Sequence, residues 1–231
     1  MGNLHKMDEI VSTLLVDRAC VSIKDDIYEK KLIPGQKIIL RELAERYNIS
    51  ATPIKQALNR LVSEGIVESI PRRGMIVCTL SEKDIENTAE TRRMIELYSV
   101  PFAVAYASKR PDFIEQLSEN LGLFEDLISK AYSTGYFVDL HKTDFEFHKL
   151  LVSTIKNQKI DEIYANLGTH CCITYLYGKK ELNRTYQSLE EHRAILNALG
   201  KGSEEELSAA VSLHIDSVRR EYAQNVSEYN Y

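Results

Sequence analysis

The chain has 231 residues, of which 44% are hydrophobic and 27% are charged, and its formal net charge is −5. This length exceeds a comfortable single hydrophobic core and predicts two domains, whereas no run approaches the ~18 apolar residues of a membrane-spanning helix. The polar amino terminus predicts that the chain has no signal peptide, and its four cysteines lack the spacing of a disulfide framework. These features exclude membrane-spanning and disulfide-rich secreted proteins and predict a cytoplasmic protein without a membrane partner.

Charge is divided unevenly along the chain. Residues 1–80 contain 12 Lys and Arg against 10 Asp and Glu, while residues 81–231 contain 17 against 24. A negative total is weak evidence against nucleic-acid binding, because the local field of a surface steers DNA. An acidic distal domain can therefore coexist with a basic DNA-binding face.

The first predicted helix has Ala19, Ile23 and Ile27 spaced four residues apart, and it ends at the turn formed by residues 32–35. A short second helix follows from Ile39, and a tight turn separates it from a third. Three helices in this order are predicted to pack as one small unit.

The third predicted helix opens with Ser50 as N-cap and has Pro53 in its first turn, where a proline N–H is not needed. One face carries the apolar residues Ile54, Ala57, Leu58, Leu61 and Val62. The other face carries side chains that can bind phosphate oxygens or base edges: Thr52, Lys55, Gln56 and Asn59. This polar face is predicted to read DNA.

Two strand-like runs, 66–70 and 75–79, follow and are joined by Pro71, Arg72, Arg73 and Gly74. A basic hairpin after two such helices is the layout of a winged helix-turn-helix, in which one helix enters the major groove and the hairpin lies along the backbone. Small helical domains without a DNA role also contain an apolar helix and a hairpin. The order of cap, proline, polar face and basic tip favours a DNA-binding domain over residues 1–80.

From residue 81 the sequence has long helical patterns and few turn signals, which predicts an all-α domain of residues 81–231. The six predicted helices cover 81–108, 111–131, 136–155, 158–177, 181–199 and 203–225. Breaks are predicted at Gly135, Asn157, Gly178 and residues 200–202, and an interruption of the first helix at Pro101. The fold class is therefore mainly α, a winged helix-turn-helix followed by a helical bundle.

Four side chains of this bundle predict a metal site. Asp144 and His148 are one turn apart and share a helix face, and His192 and His214 lie on the fifth and sixth predicted helices. Imidazole and carboxylate ligands with an open position suit Zn, Ni, Mn or Fe. An ion pair on the helix surface is the alternative for Asp144 and His148. His141 lies on roughly the same face and could line the pocket, replace a ligand or face solvent.

The first third of the chain resembles the amino-terminal domain of GntR-type bacterial transcription regulators. The matching segments are Leu32-Ile-Pro-Gly35, Arg41-Glu-Leu-Ala44, Ser50-Ala-Thr-Pro-Ile-Lys-Gln-Ala-Leu58, Glu64-Gly65-Ile-Val67 and Pro71-x-x-Gly-x-x-Val77. The resemblance implies that Arg41, Thr52, Lys55 and Gly74 contact DNA. Many relatives carry arginine at the positions of Ala51 and Lys55. In this chain the Lys55 ammonium, a point charge, replaces one guanidinium, and Ala51 offers no long side chain in place of the other.

The helical part resembles the FCD branch of these regulators, in its smaller VanR-like form with six helices. The matching positions are Arg92-x-x-Ile-Glu96, Asp144, His148, Asn157, Glu191-His192 and Leu213-His214. The resemblance implies a domain that binds a divalent metal and a small organic acid, often a sugar acid or another carboxylate. Arg92 is then a candidate partner of the carboxylate, although an i,i+4 pair with Glu96 is equally easy to draw.

Two functions are compatible with this sequence. The first is an effector-controlled repressor or activator, a homodimer that reads a palindromic operator and responds to an acid bound at the metal. The second is a metal-dependent hydrolase or lyase fused to a DNA-binding head, with Glu146 or Glu191 as general base. The sequence offers no dedicated base, and we therefore predict a regulator, with repression as the favoured sign, and not an enzyme.

Overall fold

The computed structural model describes residues 2–130, 134–177 and 182–229, with side chains described outside 2–12, 28, 134–138, 168–177, 182, 225 and 227–229. The chain forms two compact units, Met1–Thr79 and Leu80–Tyr231. Each unit has its own buried apolar residues. No helix among the described residues is long and apolar enough to cross a membrane.

The first unit contains the predicted helix-turn-helix and hairpin. Its elements in chain order are α1 (Gly2–Tyr28), β1 (Lys37–Ile38), α2 (Leu40–Tyr47), α3 (Ala51–Ser63), β2 (Val67–Ile70) and β3 (Gly74–Val77). The strands form an antiparallel sheet in the order β1-β3-β2, in which β2 and β3 are the predicted hairpin. The sequence has no signal for β1, because its two residues are a strand only through pairing with Met75 and Ile76.

The apolar face of α3 decides which side of this helix remains in solvent. Ile54, Ala57 and Leu61 are fully buried, and α3 packs against α1, where Ala19 and Ile23 are fully buried as well. Burying each large aliphatic side chain contributes about 1.5–3 kcal/mol. Rotating α3 about its axis would expose this stripe, so the polar face is fixed outward.

The orientation of α2 depends on one buried carboxylate of α1. Asp26 accepts hydrogen bonds from Arg46 Nη1 at 2.6 Å and from the Tyr47 hydroxyl at 2.7 Å. Burial, and then the bond to Asp26, raise the pKa of Tyr47 far above its ordinary value, so the hydroxyl remains a donor. The helix ends at Asn48, whose left-handed φ of 52° turns the chain toward α3.

The second unit consists of six helices within the described residues, as predicted. They are α4 (Glu82–Ala107), α5 (Pro111–Lys130), α6 (Thr134–Ser153), α7 (Gln158–Tyr177), α8 (Leu182–Lys201) and α9 (Glu204–Tyr229). A capping box starts α4, because the Ser81 hydroxyl accepts from the Asp84 N–H while the Asp84 carboxylate accepts from the Ser81 N–H.

The predicted interruption at Pro101 is wrong. Pro101 lies inside α4, which continues unbroken to Ala107. The proline is exposed, so its ring costs the helix one hydrogen bond on the solvent side, while Val100 and Ala103 are buried next to it. Packing of the buried face keeps the helix intact through the proline.

The other predicted breaks have mixed outcomes. The break at Asn157 is confirmed, since its side-chain oxygen accepts backbone N–H groups from the first turn of α7. Gly200 lies inside α8, and it is Gly202, with a left-handed φ of +70°, that follows the end of the helix. Gly135 is the second residue of α6, and residues 131–133, which precede this helix, lie outside the part of the chain that the structure describes. Gly178 lies outside the described residues.

Candidate functional site

Four side chains from three helices of the second unit converge. Asp144 and His148 lie on α6, His192 on α8 and His214 on α9, and one ligand atom from each lies within 4.8 Å of the others. The Nε2 atom of His148 is 2.9 Å from that of His192 and 3.1 Å from that of His214, and Asp144 Oδ1 is 3.4 Å from His192 Nε2. The bundle thus brings together all four residues predicted to bind a metal.

Burial sets the protonation states of this cluster. Its imidazoles are fully buried, whereas the Asp144 side chain is 21% exposed. Burial, and then repulsion from a neighbouring imidazole, lower the pKa of His192 and of His214 well below the ordinary value. Burial alone would raise the pKa of Asp144, but the histidines, His192 first, outweigh it and hold that pKa below its usual range. At pH 7 His192 and His214 are therefore neutral and Asp144 is ionised, as metal ligands must be.

Two buried carboxylates contact the far nitrogens of the cluster. Glu191 Oε2 lies 2.9 Å from His214 Nδ1. Glu96 Oε2 lies 2.9 Å from His148 Nδ1, although this second pair is not aligned as a hydrogen bond. A carboxylate beside Nδ1 favours the tautomer with its proton there, which leaves the Nε2 lone pair pointing at the centre of the cluster.

The spacing of the Nε2 atoms fits an ion at the centre. Two unprotonated nitrogens have only acceptor lone pairs to offer each other, so the 3.1 Å approach of His148 and His214 is unfavourable unless a cation lies between them. Nitrogens bound to one ion at about 2.1 Å are about 3.0 Å apart in an octahedral arrangement and about 3.4 Å apart in a tetrahedral one. The separations of 2.9 and 3.1 Å are close to the octahedral value. The residues present therefore fit Zn, Ni, Mn or Fe.

Arg92 is held by Glu96 inside the bundle. Its Nε donates to Glu96 Oε1 at 2.8 Å, and the Tyr164 hydroxyl donates to the same oxygen at 2.8 Å. Burial alone would raise the pKa of Glu96, but Arg92 and then His148 outweigh it and hold that pKa below its usual range. The i,i+4 pair of Arg92 is thus present. Arg92 also lines a small, mostly apolar cleft of about 30 Å³ between α4 and α9.

His141 lies on α6 beside the cluster but is not one of the four converging residues. It is half-buried rather than solvent-facing. Burial lowers the pKa of His141 to about 4, opposed by the Asp144 carboxylate. The structure therefore places a neutral imidazole next to the cluster, where it borders the site without belonging to the ligand set.

The face predicted to read DNA is open to solvent. All nine residues assigned to it are exposed: Arg41, Ser50, Thr52, Lys55, Gln56, Asn59, Arg72, Arg73 and Gly74. Ser50 has the extended backbone of an N-cap, but its side chain makes no capping hydrogen bond. Gly74 adopts a φ of +90°, which a residue with a Cβ rarely does, so the hairpin turn requires glycine there. Arg60, at the edge of the face, is instead paired with Asp17 and Glu64.

Two family models match the chain. The model described as bacterial regulatory proteins of the gntR family matches residues 15–77, and the model of the FCD domain matches residues 87–217. The chain belongs to the GntR family of transcription regulators, in its FCD branch. Membership of a family of regulators decides against the hydrolase or lyase alternative.

Relatives of this GntR-family chain are similar over most of their length. The HTH-type transcriptional repressor RspR of Escherichia coli (strain K12) is 22% identical over 202 residues, which cover 87% of this chain and 86% of RspR. The structure of E. coli McbR has a TM-score of 0.63 at 20% identity and covers 94% of this chain and 97% of McbR. The FCD domain of TM0439, in a metal-free form, has a TM-score of 0.52 at 24% identity and covers 66% of this chain and 99% of that domain. These two structures show that the fold is shared.

The GntR and FCD motifs did not identify every residue of the site. Glu191 directly precedes His192, and Glu96 follows Arg92 by four residues, so both glutamates stand within the sequence motifs. Their contacts with the ligand imidazoles depend on the packed bundle. Arg184 on α8 has no signal at all. Its Nη2 donates to Glu191 at 3.2 Å and its Nε to Glu221 at 3.0 Å, which ties α8 to α9 behind His214.

The metal-free protein is expected to lose stability as the pH falls from about 7 to 5. His192 and His214 have lowered folded-state pKa values, so below the unfolded histidine pKa of about 6.5 the unfolded chain binds more protons. Each fully shifted histidine then lowers the free energy of unfolding by about 1.4 kcal/mol per pH unit. His141 adds a loss of the same sign down to its folded pKa of about 4. Urea unfolding of chelator-treated protein at several pH values measures this loss, and a constant free energy of unfolding would contradict the buried neutral histidines.

Proposed function

We propose that this chain is a repressor that binds a palindromic operator as a homodimer and is controlled by a small organic acid at a divalent-metal site. The observation that carries the proposal is the convergence of three Nε2 atoms and a carboxylate in one bundle, in a chain with an exposed polar recognition face. Repression is proposed because RspR, a relative along most of the chain, is described as a repressor. Such a regulator works on genomic DNA, and so in the cytoplasm.

The DNA-binding unit supports this proposal through the chemistry of its exposed residues. Thr52, Gln56 and Asn59 offer hydroxyl and amide groups that can read base edges from α3 in the major groove. Lys55 and Arg41 offer charges to base edges or phosphates, and the hairpin arginines offer charges to the backbone. Because these residues supply few phosphate contacts per monomer, a dimer that reads two half-sites is needed for tight binding.

The helical unit supports the metal through its donors. His148, His192 and His214 would hold the ion by Nε2, with Asp144 providing an oxygen. A divalent ion held by these donors supplies a Lewis-acidic site with positions open to water or a carboxylate. Glu96 and Glu191 keep the imidazoles oriented, and Asp144, the one partly exposed member, marks the side from which solvent reaches the cluster.

The proposed effector is a small carboxylate, such as a sugar acid. The positive charge of Arg92 acts on the site, since its guanidinium contributes to the lowered pKa values of Asp144, His192 and His214. An anion entering beside the cluster would interact favourably with that charge, while His141 offers a neutral imidazole at the border. These two residues are proposed to contact the acid.

Helix α4 is the element through which the acid would act. It begins three residues after the last residue of the DNA-binding unit, and it carries both Arg92 and Glu96. An acid that binds more tightly to one placement of the α4 helix than to another shifts the population toward that placement. The affinity for the operator then changes with the population. A ligand without such a preference would bind and change nothing.

An operator titration tests this function. The metal-loaded chain is screened for organic acids that raise its melting temperature, and each hit is added to a fluorescence-anisotropy titration with DNA from upstream of the chain's own gene and its neighbours. Coupling of typical size changes operator affinity about 5- to 150-fold. If the chain binds no DNA segment, the recognition face is misassigned. If the chain binds an operator but no acid alters its affinity, the effector proposal is wrong.

A further inference from the structure

The imidazoles of the cluster differ in what stands behind them. His148 Nδ1 has the Glu96 carboxylate at 2.9 Å, and His214 Nδ1 has the Glu191 carboxylate at 2.9 Å. An arginine donates a hydrogen bond to each of these carboxylates. Two of the imidazoles are thus supported from behind by a carboxylate that is itself held in place.

His192 has no such support. Its Nδ1 atom is buried and has no hydrogen-bond partner within the described part of the chain. The rings of Phe124 and Phe147 lie against this imidazole, with centroids 5.5 and 4.7 Å away, and they offer it no oxygen or nitrogen acceptor. A buried N–H group without an acceptor is unfavourable. The Nδ1 atom of His192 is therefore a costly place for the ring proton.

The other ring nitrogen of His192 does have partners. Its Nε2 atom lies 2.9 Å from Nε2 of His148 and 3.4 Å from Oδ1 of Asp144. The Glu96 carboxylate favours the tautomer of His148 with its proton at Nδ1, so the Nε2 atom of His148 is an acceptor. A proton on His192 Nε2 satisfies the short contact, because it can be donated to His148.

We propose that His192 is a tautomer switch of the metal site, with its proton at Nε2 in the ion-free chain and at Nδ1 when an ion is bound. A nitrogen that binds an ion must offer its lone pair, so the Nε2 proton has to leave first. It leaves to water, and another proton from water attaches to Nδ1, so the ring remains neutral. His148 and His214 already have their protons at Nδ1 and need no such change. The inference rests on the metal site of the proposed function.

The switch makes His192 the weakest contributor to ion binding. Loading the site removes the hydrogen bond between His192 and His148, and it places a proton on a buried nitrogen that has no described acceptor. The supported imidazoles keep their carboxylate partners when they bind the ion. The site therefore needs a higher ion concentration for loading than three supported imidazoles would need.

Nitrogen NMR of the imidazole rings tests the tautomers directly, since protonated and unprotonated ring nitrogens differ in chemical shift. The full chain, isotopically labelled at its histidine nitrogens, is measured without an ion near neutral pH and again with Zn²⁺. The His192→Gln variant identifies the signals of that ring. We expect the His192 proton at Nε2 without the ion and at Nδ1 with it, and the protons of His148 and His214 at Nδ1 in both. A His192 proton at Nδ1 in the ion-free chain would overturn the switch.

Single alanine variants test the unequal contributions. The Zn²⁺ affinities of His148→Ala, His192→Ala and His214→Ala are measured by competition with a chelator, and circular dichroism melting checks that each variant is folded. His192→Ala is expected to lose about tenfold less affinity than the two matched variants, because it also removes the costs of the switch. Equal losses in all three would contradict the switch while the metal site stands. If the native chain binds no divalent ion, the metal site of the proposed function fails, and the switch fails with it.

Discussion

Replacing His192 and His214 together by alanine is expected to abolish divalent-metal binding while leaving operator binding intact. The two changes remove two of the three nitrogens that converge on the centre, and a single imidazole with Asp144 does not hold an ion against water. Metal content of the purified protein, measured by elemental analysis, should fall from one ion per chain to none.

The same variant has an expected thermal signature. Metal at about 100 times its dissociation constant adds about 2.7 kcal/mol to the free energy of unfolding, which for a chain of this size raises the melting temperature by about 5–10 °C. The native protein should show this rise on metal addition and lose it with chelator, and the double variant should show neither. His141→Ala is the matched control, because it removes a half-buried histidine of the same site that lies outside the ligand set. A double variant that keeps its ion would contradict the assignment of ligands.

Replacing Lys55 by alanine is expected to weaken operator binding at least about tenfold, the loss expected for one base or phosphate contact. Lys55 is exposed on the outer face of α3, so the change should not alter stability by more than about 0.5 kcal/mol. Arg41→Ala is expected to act in the same direction. Its partner Glu45 would then stand unpaired near the DNA and add repulsion to the lost contact.

Anisotropy titrations at several salt concentrations distinguish the role of each side chain. A lysine that binds phosphate lowers the salt slope by about one when it is removed, whereas one that binds a base edge weakens the operator more than unrelated DNA. Lys159→Ala is the matched control, since it removes an exposed lysine of the helical unit. Equal operator affinity in the native chain and in both variants would show that α3 and the start of α2 do not form the reading face.

Local periodicity explains why the first unit could be predicted closely. The stripe from Ile54 to Leu61 repeats at the helical period, and its burial follows from that repeat alone. The hairpin has its own signal in the turn at Arg72 and Arg73. β1 had none, because two residues become a strand only when β3 is already beside them.

The second unit shows where local reasoning fails. Pro101 breaks isolated helices, yet α4 continues through it because burial on one side outweighs one lost hydrogen bond on the other. Gly200 and Gly202 look alike in sequence, and only the backbone conformation at the end of α8 tells them apart. Arg92 was assigned two roles from sequence, and its bond to Glu96 is what the packed bundle shows.

By itself, the sequence determined the family and the helix content, and it predicted the face that reads DNA and four candidate metal ligands. Motif spacing and helical periodicity depend on neighbours within a few residues, which is why these features could be inferred. The tertiary structure decided that the Nε2 atom of His148 comes within about 3 Å of those of His192 and His214. It also placed Glu96 beside His148 and Glu191 beside His214, and brought Arg184 into contact with Glu191. These contacts depend on how α4, α6, α8 and α9 cross. Crossing angles follow from the interlocking of whole side-chain surfaces, which residue spacing does not encode.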